Sequence, residues 1–200
     1  MFSIENDQLS VSIAATGAEL KSLYNKNAGL EYMWDADPAF WAKTSPVLFP
    51  IVGSLKDDQY YFADKSYKLS RHGFAREMDF TVTDQINSSI TFTLTSSDAT
   101  LKKFPFPFVF EIIYRISNDR LQVTYKVTNT GDGSMFFSVG GHPAFKVPLI
   151  PGSEYPDHYL EFNTTENAGR WPISKEGLID TAPVPLLTNT RLLPLTKELF

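Results

Sequence analysis

Phe108-Val109-Phe110-Glu111-Ile112-Ile113-Tyr114-Arg115-Ile116-Ser117, then Asn118-Asp119-Arg120, then Leu121-Gln122-Val123-Thr124-Tyr125-Lys126-Val127-Thr128, is the stretch that decides the fold. Phe108, Phe110, Ile112, Tyr114 and Ile116 recur at every second residue, with Glu111 and Arg115 between them. Side chains of a β-strand alternate between its faces, so this segment reads as a strand with one buried face. Leu121, Val123, Tyr125 and Val127 repeat the pattern against Gln122, Thr124, Lys126 and Thr128. The connecting Ser117-Asn118-Asp119-Arg120 has turn chemistry, which makes the pair an antiparallel hairpin. Upstream, Ile90, Phe92 and Leu94 alternate with Ser89, Thr91, Thr93 and Thr95, extending the hairpin to a three-stranded meander.

Working outward, shorter β segments are expected at Leu9–Ala15, Glu19–Tyr24, Gln59–Phe62, Lys65–Leu69, Met135–Val139 and Tyr159–Phe162. Helix is scarce. Asp37-Pro38-Ala39-Phe40-Trp41 has an N-cap residue followed by proline, the start of one short turn, and Asp98–Phe104 is a second short candidate. Many short strands with little helix predict an all-β fold, a large antiparallel β-sandwich. Past residue 163 the alternation fades and Pro172, Pro183, Pro185 and Pro194 punctuate a loop-like segment. The chain then stops on the apolar Leu199-Phe200, which reads as an interrupted end because natural termini usually fray into polar residues.

Composition agrees with this pattern. The chain has 200 residues, 42% hydrophobic and 14% aromatic, enough for one domain spanning 1–200 with a full core. Its 16 Phe and 9 Tyr favour pleated surfaces, on which flat rings pack well. The net charge of −5 and the absence of any basic run longer than Lys102-Lys103 argue against nucleic acid as a partner. There are no cysteines, so disulfides, thiolate metal sites and cysteine nucleophiles are excluded. The first residues lack a secretory signal, and no apolar run approaches the ~20 residues that span a bilayer. No membrane partner and a cytoplasmic location are therefore expected.

Two segments concentrate chemistry. Arg71-His72-Gly73-Phe74-Ala75-Arg76 places two cations, an imidazole and an aromatic ring around a glycine free to take a positive φ; the alternative is a strand-end turn with exposed basic residues. In Gly140-Gly141-His142-Pro143-Ala144-Phe145 the proline holds His142 extended and the glycine pair lets the chain bend before it. The alternative there is a core histidine in a bulge. Asp157-His158 reads as a loop entering a strand. No metal-ligand spacing, nucleophile elbow, phosphate loop or dinucleotide fingerprint is present, so neither metal nor cofactor is expected.

These two motifs, preceded by Pro46-Val47-Leu48-Phe49-Pro50-Ile51-Val52-Gly53, resemble the aldose 1-epimerase (galactose mutarotase) family, and within it the LacX-like branch. Phe104-Pro105-Phe106-Pro107-Phe108 and Val127-Thr128-Asn129 are similar too, and the order is kept over essentially the whole chain. The resemblance implies the β-sandwich called a supersandwich and an isomerase that interconverts α and β anomers of a hexose. It implies His142 as general acid at the ring oxygen and His72 as a second histidine at the same oxygen. Arg76 matches an arginine that sugar-6-phosphate members use at the substrate. Arg71 or Lys56 would orient hydroxyls, and Phe74 and Phe145 would wall the cleft. The expected partner is a small sugar. The family's base is a Glu in a C-terminal Glu-Pro-Trp context, which this chain lacks; Glu161, Glu166, Glu176 and Glu198 stand in other contexts. The resemblance thus implies an N-terminal portion whose uncovered strand edges would call for a partner, with a homodimer as one solution. A hexose-6-phosphate mutarotase and a non-catalytic sugar-binding module are the alternative functions.

Overall fold

The protein is described by a computed structural model covering residues 1–199. Its contacts divide the chain into two compact units, one ending at Phe145 and one beginning at Lys146. In the first unit β1 (Phe2–Glu5), β2 (Leu9–Ile13), β3 (Leu20–Asn25) and β4 (Leu30–Glu31) form an antiparallel sheet in chain order. Next come the short β5 (Val47–Leu48) and the hairpin β6 (Gln59–Phe62)–β7 (Lys65–Lys68). Then β8 (Thr81–Ile86), β9 (Ser89–Thr95), β10 (Phe108–Ser117) and β11 (Arg120–Asn129) make a second antiparallel sheet.

The meander read from the sequence is β9–β10–β11. Phe108 pairs with Asn129 and Ser117 with Arg120, with no slip between them. Register holds because a shift by one residue would turn Phe110 and Ile112 to the opposite face of the sheet. Ile4, Val11 and Ile13 of the first sheet and Phe92, Phe110 and Ile112 of the second are 1% exposed or less and share one core. Phe2 meets Phe92 edge to face, with centroids 5.6 Å apart. The unit is a β-sandwich.

Helix is confined to short turns. The α-helix α1 (Asp98–Leu101) is closed by a capping box in which Ser97 N–H donates to Thr100 Oγ1 at 2.8 Å and Thr100 N–H donates to Ser97 Oγ. Asp37–Trp41 is a hydrogen-bonded turn, with the Phe40 and Trp41 N–H groups on the Asp37 carbonyl, and does not continue into helix. No helix among the described residues is long and apolar enough to cross a membrane.

Two sequence expectations need correction. Met135–Val139 runs without a strand ladder, tied by the Ser138 N–H to the Pro50 carbonyl, and Phe136 and Phe137 are exposed. The paired residues lie just after it, in β12 (Gly140–Gly141), antiparallel to β5. In the second unit the segment read as loop contains a strand. There β13 (Tyr159–Arg170) pairs with β14 (Val184–Pro194), and three register shifts break the alternation on which the sequence reading relied.

Candidate functional site

The segment Pro46–Gly53 is the spine of the site. Through β5 it takes one histidine motif: Gly141 pairs with Val47, the His142 N–H donates to the Pro46 carbonyl at 3.1 Å, and the Ala144 N–H to the Thr44 carbonyl at 2.9 Å. Its second half takes the other motif. The Phe49 carbonyl accepts the N–H groups of Phe74 and Ala75, and the Gly53 carbonyl accepts the His72 N–H at 2.8 Å. Two motifs far apart in sequence thus hang on consecutive stretches of one short segment. Their imidazole centroids lie 6.2 Å apart.

His72 and Gly73 both have positive φ, 67° and 71°. Such a conformation is costly for a residue with a Cβ. Here it turns the His72 ring back so that Nδ1 accepts the Gly53 N–H at 3.0 Å. A neutral imidazole accepts at one nitrogen and donates from the other. With Nδ1 occupied as acceptor, the proton sits on Nε2. Arg71 Nε lies 3.3 Å from that same Nε2, and both contacts cannot be hydrogen bonds to one neutral ring. The Gly53 bond prevails, because its donor is fixed backbone whereas the exposed Arg71 side chain can swing away.

A cavity of about 210 Å³ lies between the motifs, lined by Trp41, Pro46, Leu48, Arg71, His72, Arg76 and His142. His142 is exposed to it and lies against Trp41, with ring centroids 5.0 Å apart. Arg76 donates from Nη2 to the Arg71 carbonyl at 3.0 Å. Its Nε is buried without a hydrogen bond; Glu77 stands 3.5 Å away as an ion pair that lacks hydrogen-bond alignment. A larger groove of about 380 Å³, lined largely by Phe, Tyr and Pro side chains, is apolar, and the Tyr60 hydroxyl on its wall already donates to the Lys103 carbonyl. Convergent polar groups mark the smaller cavity as the candidate site.

Electrostatics act on His72 in one direction. Burial lowers the His72 pKa below 6.5, and the nearby Arg71, Arg76 and His142 lower it further. Protonating His72 would also strip the Gly53 N–H of its acceptor. A histidine held neutral in the fold takes up no proton where the unfolded chain does, so as pH falls below about 6.5 the folded state loses stability relative to the unfolded one. The loss levels off once His72 itself protonates. An NMR titration of the His72 ring should therefore give a midpoint below 6.5. The parent should also lose more stability than His72→Ala between pH 7.5 and 5.5 in denaturant unfolding. A midpoint at or above the ordinary histidine value would contradict the assigned tautomer.

Of the residues singled out in the sequence, the structure brings Arg71, His72, Arg76 and His142 together around one cavity. Phe74 is elsewhere: it is 7% exposed, packed in the core against Phe49 and Phe108. Phe145 bridges Met33 and lines a separate apolar pocket with Leu23 and Tyr125. Lys56 sits exposed in the tight turn Lys56–Asp58, outside the cavity lining. In the second unit, His158 Nδ1 contacts the Glu154 carbonyl in its own turn. Trp41 lines the cavity and was not singled out from the sequence; the Asp-Pro turn that ends at it was the one available signal. Among the described residues no three His, Asp or Glu side chains gather as for a metal ion.

Comparison with known proteins agrees with this architecture. The sequence model of the family described as aldose 1-epimerase matches residues 1–193. The chromosomal LacX protein of Lactococcus lactis subsp. lactis is 33% identical over 205 residues, covering 98% of this chain and 68% of LacX. A galactose mutarotase related enzyme from Lactobacillus acidophilus superposes with a TM-score of 0.92 at 37% identity, covering all of this chain and 66% of that one. A galactose mutarotase-like protein from Lactobacillus casei ATCC 334 gives 0.88 at 39% identity, covering all of this chain and 68% of that one. The chain therefore spans about two thirds of the length of these relatives, and it belongs to the aldose 1-epimerase family.

Proposed function

We propose that this chain carries the acid side of an aldose 1-epimerase site and acts as an isomerase that interconverts the α and β anomers of a hexose of the galactose or glucose type. The observation that carries this reading is the pair of imidazoles facing one small polar cavity in unequal hydrogen-bonding states, His72 holding the Gly53 N–H. Anomer exchange removes the proton of the anomeric hydroxyl, protonates the ring oxygen, opens the ring to the aldehyde, and closes it after rotation. Ring opening needs an acid at the ring oxygen and a base at the anomeric hydroxyl. His142 is the acid, because its ring is not committed to a backbone donor. His72 keeps its proton on Nε2 and steadies the same oxygen as a neutral donor. Arg71, released from His72, and Arg76 orient the remaining hydroxyls. The steps are proton transfers, for which side chains suffice without metal or cofactor, and the cytoplasm is the proposed location. At about 210 Å³ the cavity is below the ~300–1,000 Å³ of pockets for drug-sized ligands, which suits a single sugar ring.

Two observations favour variants of this reading. No carboxylate is among the residues lining the cavity, so the base is not part of this set, and a module that binds sugar without turning it over has the same lining. Arg71 and Arg76 both line the cavity, and a phosphate oxygen would accept charge-assisted bonds from guanidinium groups there, as in a hexose 6-phosphate substrate. NMR saturation transfer between anomers, with galactose, glucose and glucose 6-phosphate in parallel, separates the three. Faster exchange of a free sugar supports the isomerase, and acceleration confined to the phosphate moves the substrate. Calorimetric binding with exchange no faster than in buffer leaves the binding module.

A further inference from the structure

Glu19 is the one charged residue among those described that is fully buried, at 5% exposed, and the chemistry above does not use it. It stands just before β3. Its Oε1 accepts the N–H groups of Thr44 at 2.6 Å and Ser45 at 3.0 Å. Its Oε2 pairs with Lys21 Nζ at 2.9 Å, and the same ammonium reaches Thr44 Oγ1 at 3.5 Å. Burying a carboxylate is costly unless good partners offset it. Here three donors do so. Burial pushes the Glu19 pKa up, but Thr44, Lys21 and Ser45 outweigh it and hold it below the ordinary carboxylate value.

Those two N–H groups belong to the chain that enters the spine. The Thr44 peptide is gripped on its N–H by Glu19, while its carbonyl accepts the Ala144 N–H; two residues on, the Pro46 carbonyl accepts the His142 N–H. Glu19 lies outside the cavity lining, and its hydrogen bonds reach the site through the Thr44–Ser45 backbone. We propose that Glu19 is a positioning residue for His142: its carboxylate fixes the Thr44–Pro46 backbone and so sets where the His142 imidazole reaches into the cavity. The inference rests on His142 as the acid of the proposed isomerase.

The test compares Glu19→Ala, Glu19→Asp and Glu19→Gln in the full chain. Alanine removes the acceptor. Aspartate keeps the charge but is one methylene too short to hold both N–H groups, and it carries the same expectation should the alanine variant fail to fold. Glutamine keeps an oxygen where Oε1 stands but turns its NH2 toward the Lys21 ammonium, donor against donor, so it should restore part of the parent's behaviour and fall between parent and alanine. Amide exchange at His142 and Ala144 is read against the amides of β10 as an internal reference. Loss of about 1.4 kcal/mol of local stability speeds exchange at those two amides about 10-fold while β10 is unchanged. Anomer exchange should lose about 10- to 100-fold in kcat with KM within about twofold, the signature of a misplaced acid and not of lost binding. The proposal is overturned by unchanged exchange at both amides, by equal acceleration throughout β10, or by unchanged kcat despite loosened amides. A parent chain without anomer exchange removes the isomerase reading instead, and the amide result then decides whether Glu19 holds the His142 strand.

Discussion

Gly73→Ala should destabilise the protein by about 3–5 kcal/mol, at the upper end of what single substitutions do. Two effects add. Gly73 has φ +71°, where an L-residue with a Cβ is strained by about 1–2 kcal/mol. A Cβ there would also lie 2.3 Å from the Phe49 carbonyl oxygen, 2.6 Å from its carbon and 2.7 Å from Pro50 Cδ. These atoms are backbone and ring, so relief requires the spine itself to move. Phe49 cannot follow cheaply, since its fully buried ring contacts Phe74, Phe104, Phe108 and Phe110. For a chain of this size the melting temperature should fall by at least about 6–12 °C. Two controls separate the causes. At Gly53, φ is +86° with nothing within 4 Å of the added carbon, so Gly53→Ala should show the strain alone. At Gly133 nothing lies within 4 Å and φ is ordinary, so Gly133→Ala should stay within about 0.5 kcal/mol of the parent. A Gly73→Ala loss no larger than that of Gly53→Ala would show that the Phe49 contact is not a constraint.

The same glycine shows what the sequence could and could not disclose. Its positive φ was legible, because only glycine takes such a turn without strain. The direction of the next side chain was not. Alternation predicts facing only while the chain stays extended, and both His72 and Gly73 leave that region. Phe74 therefore turns into the core, while the resemblance put it in the cleft. The meander β9–β10–β11 was legible for the opposite reason: a core on one side and solvent on the other write a period of two into the residues. By contrast β8 is exposed at all but one position, which leaves no apolar period to read. Met135–Val139 fails in the other direction. Its apolar run suggested a buried strand, but Phe136 is 68% exposed.

The site was legible as two motifs and not as an assembly. Each histidine is flanked by residues that constrain its own backbone, and local sequence records local constraint. What joins them is the long-range pairing of Pro46–Gly53 with 72–75 on one stretch and 140–142 on the other, which no periodicity reveals. Trp41 reaches the cavity by the same kind of distant contact, and Glu19 acts one layer further out.

His142→Ala should lower anomer-exchange kcat by about 10²- to 10⁴-fold, the usual contribution of a positioned acid. The fold should survive, since the side chain is exposed and the bond from residue 142 N–H to the Pro46 carbonyl involves backbone alone. KM should change little if the arginines and His72 supply most of the sugar contacts. His72→Ala should behave differently: it leaves the Gly53 N–H without its acceptor and removes a neutral donor, so KM rises and kcat falls less. Free imidazole in the buffer should restore part of the lost rate to His142→Ala alone, because the vacated space adjoins Trp41 and opens to the cavity. Acceleration left intact by His142→Ala would remove His142 from the chemistry. If His72→Ala abolished that acceleration instead, the acid would be the ring whose Nδ1 the Gly53 N–H occupies, and the unequal states of the two imidazoles would have to be read the other way round.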